Sequence, residues 1–255
     1  MSRWIFLRGL TRESRHWGSF PEVFRRQIPA AQVYTPDLPG NGARYAEASP
    51  ARVEAMVESF RAQLGQLGIA PPYHLLAMSL GAMVAVAWAS RYPEEISGGV
   101  LINTSLRPFS PFYRRLKPGA AWRLLKLALQ GGGAADWEGT IRQLTTRHPE
   151  FPEKVLRDWI ASRQEHPVSR GNAFRQLLAA ARFRAPLHRP SPPLLLLGAQ
   201  HDQLVDVSCS RRLALFWQTP YAEHPTAGHD LPLDDGCWVA RQVGEWLAQR
   251  PDGGG

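Results

Sequence analysis

The sequence predicts an α/β protein, a mainly parallel sheet with flanking helices and a helical cap inserted late in the sheet. Three observations carry this. Short apolar, strand-like runs at 4–7, 31–35, 73–78, 98–102, 193–197 and 220–224 alternate with helical patterns at about 50–68, 80–92, 207–217 and 235–249. The strand pattern stops near Asn103 and resumes near Pro193. The 255 residues, 44% hydrophobic, suit one domain with an ordinary core. The expected division is a core over 1–103 and 191–250, a cap over 104–190 and a flexible tail over 251–255.

The first strand is Arg3-Trp4-Ile5-Phe6-Leu7, followed by Arg8-Gly9-Leu10. The third, Tyr73-His74-Leu75-Leu76-Ala77-Met78, runs into the small-residue helix that starts at Gly81. Ser79 stands at that junction, with Ala77 two residues before it and Gly81 two after. A sharp strand-to-helix turn tolerates only small neighbours there, and it would present the serine hydroxyl as a nucleophile. A serine so placed also reads as a plain helix N-cap.

The strand Pro193-Leu194-Leu195-Leu196-Leu197-Gly198 is followed by Asp202, just past the strand end, where a sheet delivers catalytic side chains. Asp206 is the alternative acid, though its place suits the cap of the helix beginning near Ser208. His229, in Gly228-His229-Asp230, follows the weak strand at 220–224. It is preferred over His224 as the base that a serine needs at neutral pH. The acid would hold the imidazole tautomer and stabilise the imidazolium.

The order Ser79, Asp202, His229, with the serine on a strand-to-helix turn, resembles the α/β-hydrolase fold. The resemblance covers residues 1 to about 105 and 190 to 249. It is closest to small capped serine esterases, such as carrier-protein methyl esterases, carboxylesterases and acyl thioesterases. Asp37-Leu38-Pro39-Gly40-Asn41-Gly42 is similar to the family's D-x-P-G-x-G loop. The family usually has Gly where this chain has Ala77, and His-Gly where it has Arg8-Gly9. The resemblance implies an oxyanion hole made by the backbone N–H groups of Leu10 and Leu80. It also implies an inserted cap whose apolar faces roof the site, and no metal or organic cofactor. Arg8, Trp17, Trp122 and Trp159 are the candidate substrate-binding residues.

Within 104–190, four amphipathic segments are expected: 112–130, 136–147, 152–163 and 171–183, with breaks at Gly131–Gly133, Pro149 and Pro152. This stretch holds sixteen Arg or Lys against six Asp or Glu, a net +10, while the rest of the chain is close to neutral at −2. A cationic surface attracts anionic partners, and acyl carrier protein and coenzyme A are both anionic. Arg114, Arg115 and Arg142 are convenient residues for testing this by charge reversal. The basic residues are spread over amphipathic helices with no recognition motif, which argues against nucleic-acid binding.

The longest apolar stretch, 82–89, is too short to span a bilayer. No secretory leader is visible, and Cys209 and Cys237 lack metal-ligand spacing. Free thiols in a reducing cytoplasm are expected. The functional expectation is a serine hydrolase acting on a carboxylic ester, with acyl thioesterase as the alternative. A non-catalytic ligand-binding or scaffold protein is the alternative of another class.

Overall fold

A computed structural model describes residues 1–148 and 151–249. Pro149 and the tail at 251–255 lie outside the described residues. Six strands form one sheet: β1 (Ser2–Leu7), β2 (Ala31–Tyr34), β3 (Tyr73–Met78), β4 (Ile96–Ile102), β5 (Leu194–Ala199) and β6 (Tyr221–His224). Their order is β2-β1-β3-β4-β5-β6, and every pairing is parallel. All six sequence-predicted strands are present.

The faces are covered as parallel strands require. Alternate residues of the central strands point to opposite sides. Ile5, Leu7, Leu75, Ala77, Leu101 and Leu196 pack against α2 (Val53–Gln66), α3 (Leu80–Arg91) and α9 (Ser208–Trp217). Trp4, Phe6, Leu76, Met78, Ile102 and Leu197 pack against α1 (Phe20–Gln27) and α11 (Gly236–Ala248). Helix α3 is buried from Leu80 to Ala89, which explains its run of small and aliphatic residues with no polar face.

Five consecutive helices separate β4 from β5: α4 (Phe112–Arg115), α5 (Pro118–Gln130), α6 (Ala134–Thr145), α7 (Glu153–Glu165) and α8 (Arg170–Arg182). The single helix expected over 112–130 is thus two. Pro118 opens α5, and the residue before a proline is driven out of the helical region. Accordingly Lys117 is non-helical (φ −58°, ψ 134°), and Leu116 before it is extended. After β6, the short helix α10 (Leu231–Asp234) leads into α11.

The strand order reverses between β1 and β3. Chains leaving those two strands diverge to either side, and the crevice at their carboxyl ends is where open α/β sheets bind ligands. Arg8–Leu10 and Ser79 both lie there.

Candidate active site

Ser79 is the one-residue bridge between β3 and α3, and its backbone is strained (φ 51°, ψ −114°). Non-glycine residues seldom hold such angles, and they do so mostly at functional sites. The local sequence permits the turn. A Cβ on Gly81 would collide with the carbonyl oxygens of Leu7 and Arg8, so only glycine lets α3 pass beneath β1. Ala77 is fully buried and fits where the family pattern has glycine. Ser79 donates its backbone N–H to Ile102 O at 3.1 Å, which ties the turn to the end of β4.

Asp202 and His229 are brought together. Both are buried, and His229 Nδ1 lies 2.6 Å from Asp202 Oδ2. The other carboxylate oxygen accepts from the N–H groups of Leu204 (2.7 Å) and Val205 (2.9 Å), so the acid cannot swing away. Lys117 Nζ donates to the Asp202 carbonyl at 2.6 Å. Burial pushes the imidazole pKa of His229 down, but the charges of Asp202 and Asp230 and the Asp202 hydrogen bond outweigh it, so the net shift is upward. Among the described residues no hydrogen bond joins Ser79 Oγ to His229; such contacts are often long until substrate binds.

The alternatives have other work. Asp206 Oδ1 accepts from Ser208 N at 2.9 Å at the start of α9. His224 Nδ1 accepts from Ala227 N at 2.9 Å, which shapes the turn leading to His229.

Leu10 lies on the loop after β1, and Leu80 is the first residue of α3. Leu80 N is in the first turn of α3, where backbone N–H groups lack intrahelical partners. Leu10 N makes no hydrogen bond among the described residues. The turn that presents it is fixed on both sides. Arg12 N donates to Gly9 O at 3.2 Å, and Thr11, at φ 58°, donates its N–H to Gln176 Oε1 at 2.8 Å. Gln176, on α8, is itself fully buried and donates to Asn41 Oδ1 (2.7 Å) and Ser49 Oγ (2.9 Å).

The four candidate substrate-binding residues lie in different settings. Trp17 is only 3% exposed and packs in the core with Phe6 and Phe20, beneath the Arg8 guanidinium. Trp159 is equally buried, stacked under Arg12 and against His16 and Phe151. Trp122 is 66% exposed on α5. Arg8 is folded inward onto Asp230. An aromatic's neighbours come from distant parts of the chain, so its role is not readable from its own segment.

Residues that the sequence reading passed over hold the site together. Asn103, at φ 47°, donates from Nδ2 to the carbonyls of His229 (2.8 Å) and Gly228 (3.2 Å), and its Oδ1 accepts from Ala199 N (2.9 Å). It thereby fastens the ends of β4 and β5 to the histidine loop. The inserted helices reach the same loop, since Asp230 N donates to Thr145 O at 2.7 Å. Arg12 and Arg163 both bind buried Glu138, each at 2.6 Å. Burial pushes the Glu138 carboxyl up, but the two guanidiniums overcome it and hold it below the usual range. Asn103 holds a left-handed φ, which its sequence neighbours do not announce.

This fold and this arrangement of loops define a class. Residues 5–235 match the α/β-hydrolase fold, and the chain belongs to that family. Among its relatives is the pimeloyl-[acyl-carrier protein] methyl ester esterase of Xanthomonas oryzae pv. oryzae (strain MAFF 311018), 25% identical over 246 residues and 92% of each chain. The biotin biosynthesis bifunctional protein BioHC of Cellvibrio japonicus is 26% identical over 225 residues. That match takes in 82% of this chain but 40% of the bifunctional protein, so this chain spans well under half of that relative. Among solved structures, a thermophilic esterase from Thermogutta terrifontis superposes with a TM-score of 0.73 at 21% identity, covering 98% of this chain and 90% of the other. The 2-hydroxy-6-oxo-6-phenylhexa-2,4-dienoate hydrolase of Rhodococcus sp. strain RHA1 gives 0.77 at 18% identity, covering 97% and 90%. Both likenesses are of fold.

Proposed function

We propose that the protein is a serine hydrolase that cleaves a carboxylic ester through an acyl-enzyme intermediate. The observation that carries this reading is the buried Asp202–His229 hydrogen bond, on loops at the carboxyl end of the sheet that also bears the strained Ser79 turn. In this reading Ser79 Oγ attacks the ester carbonyl while His229 Nε2 takes its proton. The Leu10 and Leu80 amides receive the negative charge that forms on the carbonyl oxygen. His229 returns the proton to the leaving alcohol and then activates the water that releases the acid. Asp202 holds the ring so that Nε2 faces the reaction.

The residues between β4 and β5 act as the cap over this site. The methyl ester esterase relative has a carrier-linked substrate in its name, and this chain carries a net +10 on residues 104–190. Together they favour an ester borne on an anionic carrier, in the cytoplasm. Acyl thioester cleavage by the same residues is the second reading, since a carrier attaches acyl groups as thioesters. A scaffold role fits less well, because nucleophile, base and acid are all retained.

The test is a hydrolysis screen of p-nitrophenyl esters, methyl esters and thioesters of graded chain length, run beside Ser79→Ala. Ester cleavage lost by about 10³-fold or more in the variant supports the reading. A Ser79→Ala protein as active as the wild type would falsify it.

A further inference from the structure

We infer that the buried Arg8–Asp230 ion pair is a positioning device for the reaction. It clamps the histidine loop to the nucleophile turn, and its two charges act on His229 in opposite senses. The inference rests on the reading of Ser79 and His229 as nucleophile and base.

The geometry is specific. Arg8 Nη1 and Nη2 reach the two carboxylate oxygens of Asp230 at 3.1 and 2.6 Å, a two-pronged contact that fixes angle as well as distance. Nη1 also lies 3.2 Å from Met78 Sδ. Met78 immediately precedes Ser79, and Asp230 immediately follows His229. One guanidinium therefore touches the chain neighbour of each proposed reacting residue. Its plane is held from below by Trp17, with Cζ 4.6 Å from the ring centre. The side chains are 6% and 5% exposed.

A buried ion pair seldom improves stability over apolar side chains of the same volume. Geometry and charge are what it supplies here. The charged groups around His229 come from several elements. Asp202 lies on the loop after β5, Asp230 on the histidine's own loop, and Arg8 on the loop after β1. Beyond Arg8 stands Arg12, paired with Glu138 of α6. Asp234 of α10 accepts from Gly228 N, and Lys117 binds the Asp202 carbonyl. Asp230 favours the imidazolium and Arg8 opposes it, so loss of either partner should move the proton affinity of His229 in a known direction.

The experiment is the pH dependence of kcat/KM for a small neutral p-nitrophenyl ester, measured on wild type, Arg8→Met, Asp230→Asn, the double variant and Arg8→Lys. Removing the cation should shift the acid limb to higher pH, and removing the anion should shift it to lower pH, each by about 0.5–1 pH unit. The double variant should bring the limb back toward wild type. Arg8→Lys should keep the limb and still lower the plateau, because an ammonium cannot make the two-pronged contact. Plateau values of the single variants should fall about tenfold or more. Limbs that stay in place or move the same way, or plateaus within about twofold of wild type, would overturn the inference. If Arg8→Met does not fold, the near-isosteric Asp230→Asn decides alone by the sign of its shift. Failure of the serine reading is told apart by Ser79→Ala, which must be inactive for the pair to be interpreted at all.

Discussion

At the scale of single residues, the site is built on side chains whose environments assign them different tasks. Asp202 has both carboxylate oxygens engaged, one by His229 and one by two backbone N–H groups. Asp206 caps α9. Asp202→Asn should therefore cut kcat strongly, by about 10³-fold or more, because the imidazole loses its orienting partner. Asp206→Asn should stay within a few-fold of wild type; steady-state rates on one ester settle the comparison, and the reverse ranking would move the acid. The upward net shift of His229 has its own consequence. With His229 as the proposed base, which works only when deprotonated, kcat/KM should fall as pH drops through a value above that of an ordinary histidine. A pH profile with its acid limb at or below about 6.5 would contradict this. Ser79, Asp202 and His229 could be picked out as candidates because each follows a strand, in the chain order of the family. Asn103, Arg12 and Gln176 were not, because their partners lie far away in sequence and no local pattern announces the contact.

At the scale of elements, the strands and main helices were legible from apolar runs and their spacing. Helix α1 was readable but passed over: Ser19, Pro21 and Glu22 form an ordinary helix start, and Phe20 and Phe24 mark its buried face. The inserted helices were legible as helices but not in how they attach. One anchor is the Arg12–Glu138–Arg163 group, which joins the loop after β1 to α6 and α7. Glu138→Ala strands two guanidiniums in a buried site and should destabilise the protein by about 3–5 kcal/mol. The loss should appear as a lower Tm, with new proteolytic cuts confined to 134–170. An unchanged Tm and cleavage pattern would mean that the insertion is held by something else.

At the scale of the whole molecule, charge is segregated, with net +10 on the insertion and −2 elsewhere. Its basic groups are not equivalent. Arg115 donates to Ala180 O, Lys117 to Asp202 O, and Arg142 lies over Phe151, so all three are tied into the fold. Arg123, Lys126 and Arg175 are exposed and are better placed than Arg114, Arg115 or Arg142 for charge reversal. If the insertion recruits an anionic carrier, kcat/KM for a carrier-borne ester should fall steeply with salt, and for a small neutral ester hardly at all. Screening acts over about 8–10 Å and weakens only the charged encounter. Arg123→Glu with Lys126→Glu should reproduce the effect for the carrier-borne ester alone. Equal salt dependence of the two substrates would leave the basic surface without a role in substrate recruitment. The proposed reaction requires a serine that becomes covalently acylated. Intact-mass spectrometry after exposure to a fluorophosphonate tests this most directly. One adduct per chain, mapped to Ser79 and lost in Ser79→Ala, is the expected result; a wild-type protein that takes up no adduct, or a Ser79→Ala protein that still does, would contradict it.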